Sequence, residues 1–251
     1  MDKAPGYKVL SNALSKGCGM KYRVMATTIS GLEDVASEEI SKLLNTPVCP
    51  DKGRVFFETN LEGIYVANLL SRCLHRLFIL LHSGVAQGLK DIYNQVKSLP
   101  FTEYIAPNQS FAIRAQRSGE HDFTSLDIAS IAGKAVIDGY LEERGVRLRV
   151  DLNQPDVEIY VLLRDGELLV GINTTGESLH KRGYRVYDHP AAIKTTLASG
   201  MILLSGWKPE EVFLDPMCGG ATIPIEAALM ARRVPNNAFG RKFRGHQALA
   251  S

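Results

Sequence analysis

The chain has 251 residues, of which 45% are hydrophobic and 22% charged, a balance that suits a globular protein of one large or two to three small domains. It holds no apolar stretch of the roughly 18–20 residues that a membrane span needs and no secretory signal. The four cysteines (Cys18, Cys49, Cys73, Cys218) show no C-x-x-C pairing, which points to a reduced, cytoplasmic protein without a metal site, and a net charge of only +2 excludes a polycation.

Residues 1–20 lack periodicity and read as a leader, with Met20 as an alternative start. Tyr22 to Ile29 is rich in β-formers and predicts a strand. Ser30-Gly31-Leu32-Glu33 has the pattern of a capping box, and Leu32, Val35, Ala36, Ile40, Leu43 and Leu44 follow at helical spacing. Arg54 to Thr59 predicts a second strand. Asn60 then caps a helix expected to run to about Leu81 on Ile64, Leu69, Leu70, Leu74 and Leu77. This strand–helix–strand–helix unit suits a small α+β fold.

Ser98 to Ser110 reads as loop, and Phe111 to Ala115 as a strand. After the polar turn Arg117–Ser125, Ser125 is placed to cap a helix with Ile128, Ile131, Ala132, Ala135, Val136 and Tyr140 inward. Val146 to Val150 and Val157 to Leu163 are strands. Asp165-Gly166 supplies the positive φ values of a hairpin turn that leads into Leu168 to Ile172.

Pro190 suits a helix start, and Ile193, Leu197, Met201 and Leu204 mark one face of the helix that follows. Val212-Phe213-Leu214 then reads as a short buried strand. Asp215-Pro216-Met217-Cys218-Gly219-Gly220 is an acidic, glycine-rich turn, Thr222 is a helix cap, and Pro224 falls in the tolerant first turn. Strand, glycine turn and helix start together form a nucleotide-type site, because glycines admit a ligand close to the backbone and the helix start offers free N–H groups. By itself that pattern serves a dinucleotide, a phosphate or S-adenosylmethionine equally.

The fuller pattern Asp-Pro-x-Cys-Gly-x-x-Thr with Ile225-Glu226-Ala227-Ala228 resembles the first cofactor motif of S-adenosylmethionine-dependent RNA guanine-N2 methyltransferases. The chain departs from it at Gly220, where the family has Ser, and at Ala221, where it has Gly. Alanine disfavours positive φ, so a left-handed turn there carries strain. Phe111-x-x-Arg114-x-x-Arg117-x-Gly119-x-His121-x-Phe123-Thr124-Ser125 is similar to the core of a THUMP domain, an RNA-binding module. Gly171-Ile172-Asn173 through His180-Lys181-Arg182-Gly183-Tyr184-Arg185 resembles the end of that domain and its link to a methyltransferase.

The resemblance implies an α+β / α/β architecture. Residues 21–82 would form a ferredoxin-like unit, 83–176 the THUMP domain, and 177–251 a linker and the start of a Rossmann-like methyltransferase domain. It implies S-adenosylmethionine as cofactor, held by Asp215, Pro216, Cys218, Gly219, Gly220 and Thr222, with weaker support for His189 to Lys194. It implies tRNA or rRNA as partner, with acceptor-stem guanine 6 of tRNA as the target, gripped by Arg114, Arg117, His121, Lys181, Arg182 and Arg185. Glu226 would brace the turn.

The family's Asn/Asp-Pro-Pro-aromatic catalytic motif does not occur in these residues, so the chain alone is expected to be inactive, with no catalytic residue and with apolar surface left uncovered. Each basic cluster alone reads equally as solvated surface. The alternatives are a non-catalytic THUMP RNA-binding protein or, within the resemblance, an rRNA guanine-N2 methyltransferase. A thiouridine synthase lacks its Ser-Gly-Gly-x-Asp-Ser loop here, and a hydrolase its G-x-S-x-G elbow.

Overall fold

The computed structural model describes residues 20–185, 192–236, 238 and 239. In chain order the elements are β1 (Tyr22–Thr27), α1 (Glu33–Leu44), β2 (Val48–Asp51), β3 (Arg54–Thr59), α2 (Leu61–Leu70), β4 (Arg76–Val85) and α3 (Leu89–Lys97). There follow β5 (Ser110–Ser118), α4 (Ser125–Arg144), β6 (Arg149–Val150), β7 (Val157–Arg164), β8 (Glu167–Asn173), α5 (Thr195–Ser205) and α6 (Thr222–Ala231). They fall into two compact units, one holding the residues up to Leu77 together with those from Glu177 to Phe243, the other Phe78–Gly176. The leader, and Pro190 as a helix start, lie outside the described residues.

In the first unit, β3 lies between β2 and β1 and pairs antiparallel with both, Tyr22 opposite Thr59 and Val48 opposite Phe57. The inward residues Val24, Val55 and Phe57 meet Ala36 and Ile40 of α1 in the core. The Ser30 capping box does not form. Glu33 instead turns its carboxylate to the backbone N–H groups of Gly31 and Gly53, at 2.7 and 2.6 Å. Those bonds hold the Glu33 pKa below its ordinary value.

Asn60 caps α2 as expected, its Oδ1 accepting from Gly63 N at 2.9 Å. The helix stops at Leu70, however, and does not continue to Leu81. The buried Glu39 carboxylate of α1 causes the stop: it accepts from Ser71 Oγ, Arg72 N and Cys73 N at 3.0, 2.5 and 3.1 Å. Those bonds draw the chain out of the helix, and Leu77 becomes a core residue of β4. A tertiary hydrogen-bond set thus overrides apolar residues at helical spacing.

In the second unit the strand order is β4-β8-β7-β5-β6. β7 and β8 form the expected hairpin, with Asp165 at φ 47° and Gly166 at φ 89°. β5 runs parallel to both β7 and β6. Helix α4 starts one residue earlier than read. Thr124 is its cap, in a full capping box with Asp127, and Gly145 closes it in the left-handed region. Its inward face is Ile128, Ala132, Ala135, Val136 and Tyr140. The Tyr140 hydroxyl donates to Ile105 O at 2.8 Å.

Two expectations near the chain's end change. Helix α5 buries its small residues, Thr195, Thr196, Ala198, Ser199 and Gly200, along with Ile202, while Met201 and Leu204 are exposed. Close packing explains the inversion, since a Cβ on Gly200 would meet Leu32 Cδ1 at 2.5 Å. Val212–Leu214 forms no strand, and Val212 and Leu214 are 94% and 83% exposed. An extended segment becomes a strand only beside a partner, and none of the described strands pairs with it.

Candidate functional site

The turn from Asp215 to Ala221 leads into α6 and is built by short-range bonds. Asp215 Oδ1 accepts from Met217 N at 3.1 Å, and Cys218 O accepts from Ala221 N at 2.7 Å. Gly219 takes φ 51°, and a Cβ on Gly219 or Gly220 would meet nothing within 4 Å. The turn therefore offers an open, backbone-lined cradle at a helix N-terminus. Pro216, Cys218, Gly219 and Gly220 are exposed and Asp215 is partly so.

The residue that turns into the helix is Ala221, not Thr222: it is the N-cap at φ 57° and ψ 25°, with no side-chain bond to the helix. Thr222 is buried in the first turn, and its Oγ1 accepts from Arg185 Nη2 at 2.8 Å. One turn on, the fully buried Glu226 accepts from Tyr184 Oη and Ser199 Oγ, each at 2.9 Å. Arg182 Nε lies 3.4 Å from the same carboxylate.

The guanidinium of Arg182 also donates to Leu179 O and Arg72 O at 2.7 and 3.1 Å, and its side chain is 2% exposed. It faces inward and presents nothing to a polyanion, unlike the sequence reading. Arg185 is half-buried and donates also to Ile193 O at 2.5 Å. Lys181 is the exposed cation of this segment, paired at the surface with Glu177 at 3.1 Å. Nearby, burial first, then the charges of His180 and Lys194, lower the His75 pKa to about 4. Its Nε2 lies 2.9 Å from Thr196 Oγ1. His189 and Pro190 lie outside the described residues.

In the second unit Arg114 and Arg117 are both exposed on β5, three residues apart and hence on opposite faces of the strand. Arg114 pairs with Glu158 at 3.1 Å and donates to Leu152 O at 2.9 Å. Arg117 Nη1 lies 3.4 and 3.3 Å from Gly119 O and His121 O, and His121 stacks on Phe123 with ring centroids 5.2 Å apart. So Arg117 and His121 are brought together, and Arg114 is not part of that group. An open cleft of about 500 Å³ beside Arg117 includes Ser118, Thr124, Ser125 and Arg164. Arg164 was not singled out in the sequence; only the parallel register that sets it opposite Ser118 brings it here.

Among the described residues no cluster of His, Cys, Asp or Glu could hold a metal ion, and no helix is long and apolar enough to cross a membrane.

Comparison with known families matches residues 23–78 to an RlmL ferredoxin-like domain, 86–173 to a THUMP domain, and 182–249 to an RMKL-like methyltransferase domain. The chain is thus similar, in this order along one polypeptide, to three modules that the family models describe separately. It is 50% identical over 217 residues to a tRNA (guanine(6)-N2)-methyltransferase of Archaeoglobus fulgidus, covering 85% of this chain and 55% of that one. It is 47% identical to the enzyme of the same name from Methanocaldococcus jannaschii, covering 89% of this chain and 61% of the other. It thus spans a little over half the length of these relatives. Among solved structures, SMU.472, a methyltransferase candidate complexed with SAH, matches with TM-score 0.82 and 30% identity over 91% of this chain and 60% of that one. TrmN from Thermus thermophilus matches with TM-score 0.67 and 28% identity over 84% and 62%.

Proposed function

We propose that this is a chain of an S-adenosylmethionine-dependent RNA methyltransferase that modifies guanine N2 in tRNA, with guanine 6 of the acceptor stem as target. The observation that carries the reading is the open glycine turn at the start of α6, inside the stretch similar to an RMKL-like methyltransferase domain. Its fit to the cofactor rests on the chemistry of the turn. The Asp215 carboxylate suits the cofactor's amino-acid end, Gly219 and Gly220 leave room for it, and Pro216, Cys218 and Thr222 shape the backbone around it. The bound cofactor supplies an activated methyl group; the protein's task is binding and orientation. No residue of this chain is proposed as catalytic.

RNA is held, in this reading, by Arg114, Arg117, His121 and Lys181, with Arg164 added, through phosphate contacts that fix position without reading bases. A cytoplasmic setting follows from that substrate. The domain limits we propose are 21–82, 83–176 and 177–251. A second reading, an RNA-binding protein without methyl transfer, draws support from the THUMP match over residues 86–173.

Three measurements on the 251-residue chain test these readings: calorimetric titration with S-adenosylhomocysteine, filter binding of a tRNA transcript against an rRNA hairpin, and transfer of a tritiated methyl group. Nucleoside binding with a tRNA preference supports the first reading. RNA binding without nucleoside binding selects the second, and neither binding overturns both.

A further inference from the structure

The segment His180–Arg185 looks in sequence like a basic strip for RNA, yet two of its three cations are turned toward α6. Arg185 donates to Thr222 Oγ1 at 2.8 Å, and Tyr184 donates to Glu226 at 2.9 Å. Arg182 closes the buried ion pair with the same carboxylate. Thr222 directly follows Ala221, the last residue of the glycine turn, and Glu226 lies one helical turn beyond. The turn's own internal bonds are few, Met217 N to Asp215, Ala221 N to Cys218 and a long contact from Cys218 Sγ to Gly219 O at 4.0 Å, and open space lies where a side chain on either glycine would stand. An exposed turn of this kind keeps one geometry only if the helix it enters is fixed at its first residues.

We propose that Arg185 and Tyr184, with Arg182 behind them, are positioning residues for the glycine turn, setting the start of α6 through Thr222 and Glu226 so that the turn is held ready for its ligand. The contacts differ in kind. Arg182 sits in a buried charge pair whose removal would harm the whole unit. The Arg185–Thr222 and Tyr184–Glu226 bonds each involve a single hydroxyl that can be deleted with little change of shape. Ser199 of α5 gives the Glu226 carboxylate a third partner at 2.9 Å, so loss of the Tyr184 hydroxyl leaves the charge bonded. The inference rests on the glycine turn being a nucleoside site, but the brace itself can be measured without ligand.

The test uses the full 251-residue chain carrying Thr222→Val, Tyr184→Phe, or the conservative Thr222→Ser. Two readouts are taken, hydrogen exchange of peptides spanning residues 215–225 and affinity for S-adenosylhomocysteine, beside the melting temperature. Deleting one such bond should speed exchange in this stretch about fivefold and weaken the nucleoside by a similar factor, with exchange in the core strands β1 and β3 unchanged. Thr222→Ser should behave as wild type in both. Exchange across 215–225 that matches wild type in both deletion variants would overturn the proposal, whatever happens to the melting temperature. Failure of the unaltered chain to bind the nucleoside would instead count against the reading of the site, and the exchange comparison would still decide the brace.

Discussion

Ala221 holds φ 57°, a region that a residue with a Cβ enters at a cost of roughly 1–2 kcal/mol and glycine enters freely. The strain is partly offset, because alanine also restricts the unfolded chain, which favours it over glycine by about 0.4–1 kcal/mol. The backbone term is the larger, so Ala221→Gly should stabilise the chain by up to about 1 kcal/mol, read as an increased urea midpoint. Ala221→Val should lower that midpoint, since a β-branched residue is worse still in this region. His75 gives a second prediction at this scale. Its folded pKa of about 4 lies below the usual 6.5, so between those values the unfolded chain binds the extra proton. The contribution of neutral His75 is complete above pH 6.5 and is lost as the pH falls toward 4. After discounting for partial exposure it amounts to about 1–2 kcal/mol. Urea midpoints measured from pH 7 to 4.5 should fall less steeply in His75→Gln than in wild type. The glycine motif could be read directly in the sequence because its spacing is local. The role of Arg182 could not: a buried arginine and a phosphate-binding arginine have the same letter, and only burial against Glu226 separates them.

Helices read well wherever local chemistry decided them. Asn60 caps α2 and the Asp165-Gly166 turn closes its hairpin, each from a short stretch of chain. The reading went wrong where a distant group intervened, as Glu39 does at Ser71–Cys73, or where tight packing reversed the apolar rule, as Gly200 does in α5. Helix α4 allows two tests of local against packing control. Thr124→Ala removes the capping box and should cost about 1 kcal/mol, seen as a lower urea midpoint with amide exchange faster in the first turn of the helix. Gly139 of α4 faces the last residue of α3, and a Cβ there would lie 2.6 Å from Lys97 O. Backbone cannot give way as a flexible side chain does, so Gly139→Ala should cost about 1–3 kcal/mol despite the better helix propensity of alanine. A neutral or stabilising Gly139→Ala would show that the two helices can separate freely.

At the scale of the molecule, a net charge of +2 gives little general attraction for RNA, so the proposed RNA contact depends on the particular cations that remain at the surface. That separates two kinds of arginine in one chain. Arg114 and Arg117 are exposed, although Arg114 shares its charge with Glu158, whereas Arg182 is buried against Glu226. A phosphate contact weakens with salt, so replacing Arg114 and Arg117 together by alanine should lower the slope of log affinity against log salt by up to about 2 between roughly 50 and 200 mM. The melting temperature should barely change, because exposed pairs add little stability. Arg182→Ala should do the reverse. It strands a buried carboxylate, costs about 3 kcal/mol or more, and lowers the melting temperature while the salt slope of the protein that stays folded is unchanged. Filter binding of tRNA at several salt concentrations, beside thermal melts of the same samples, reads both quantities. An unchanged slope in the double variant would mean that Arg114 and Arg117 serve β5 and its neighbouring turn alone, and would remove them from the proposed RNA contact.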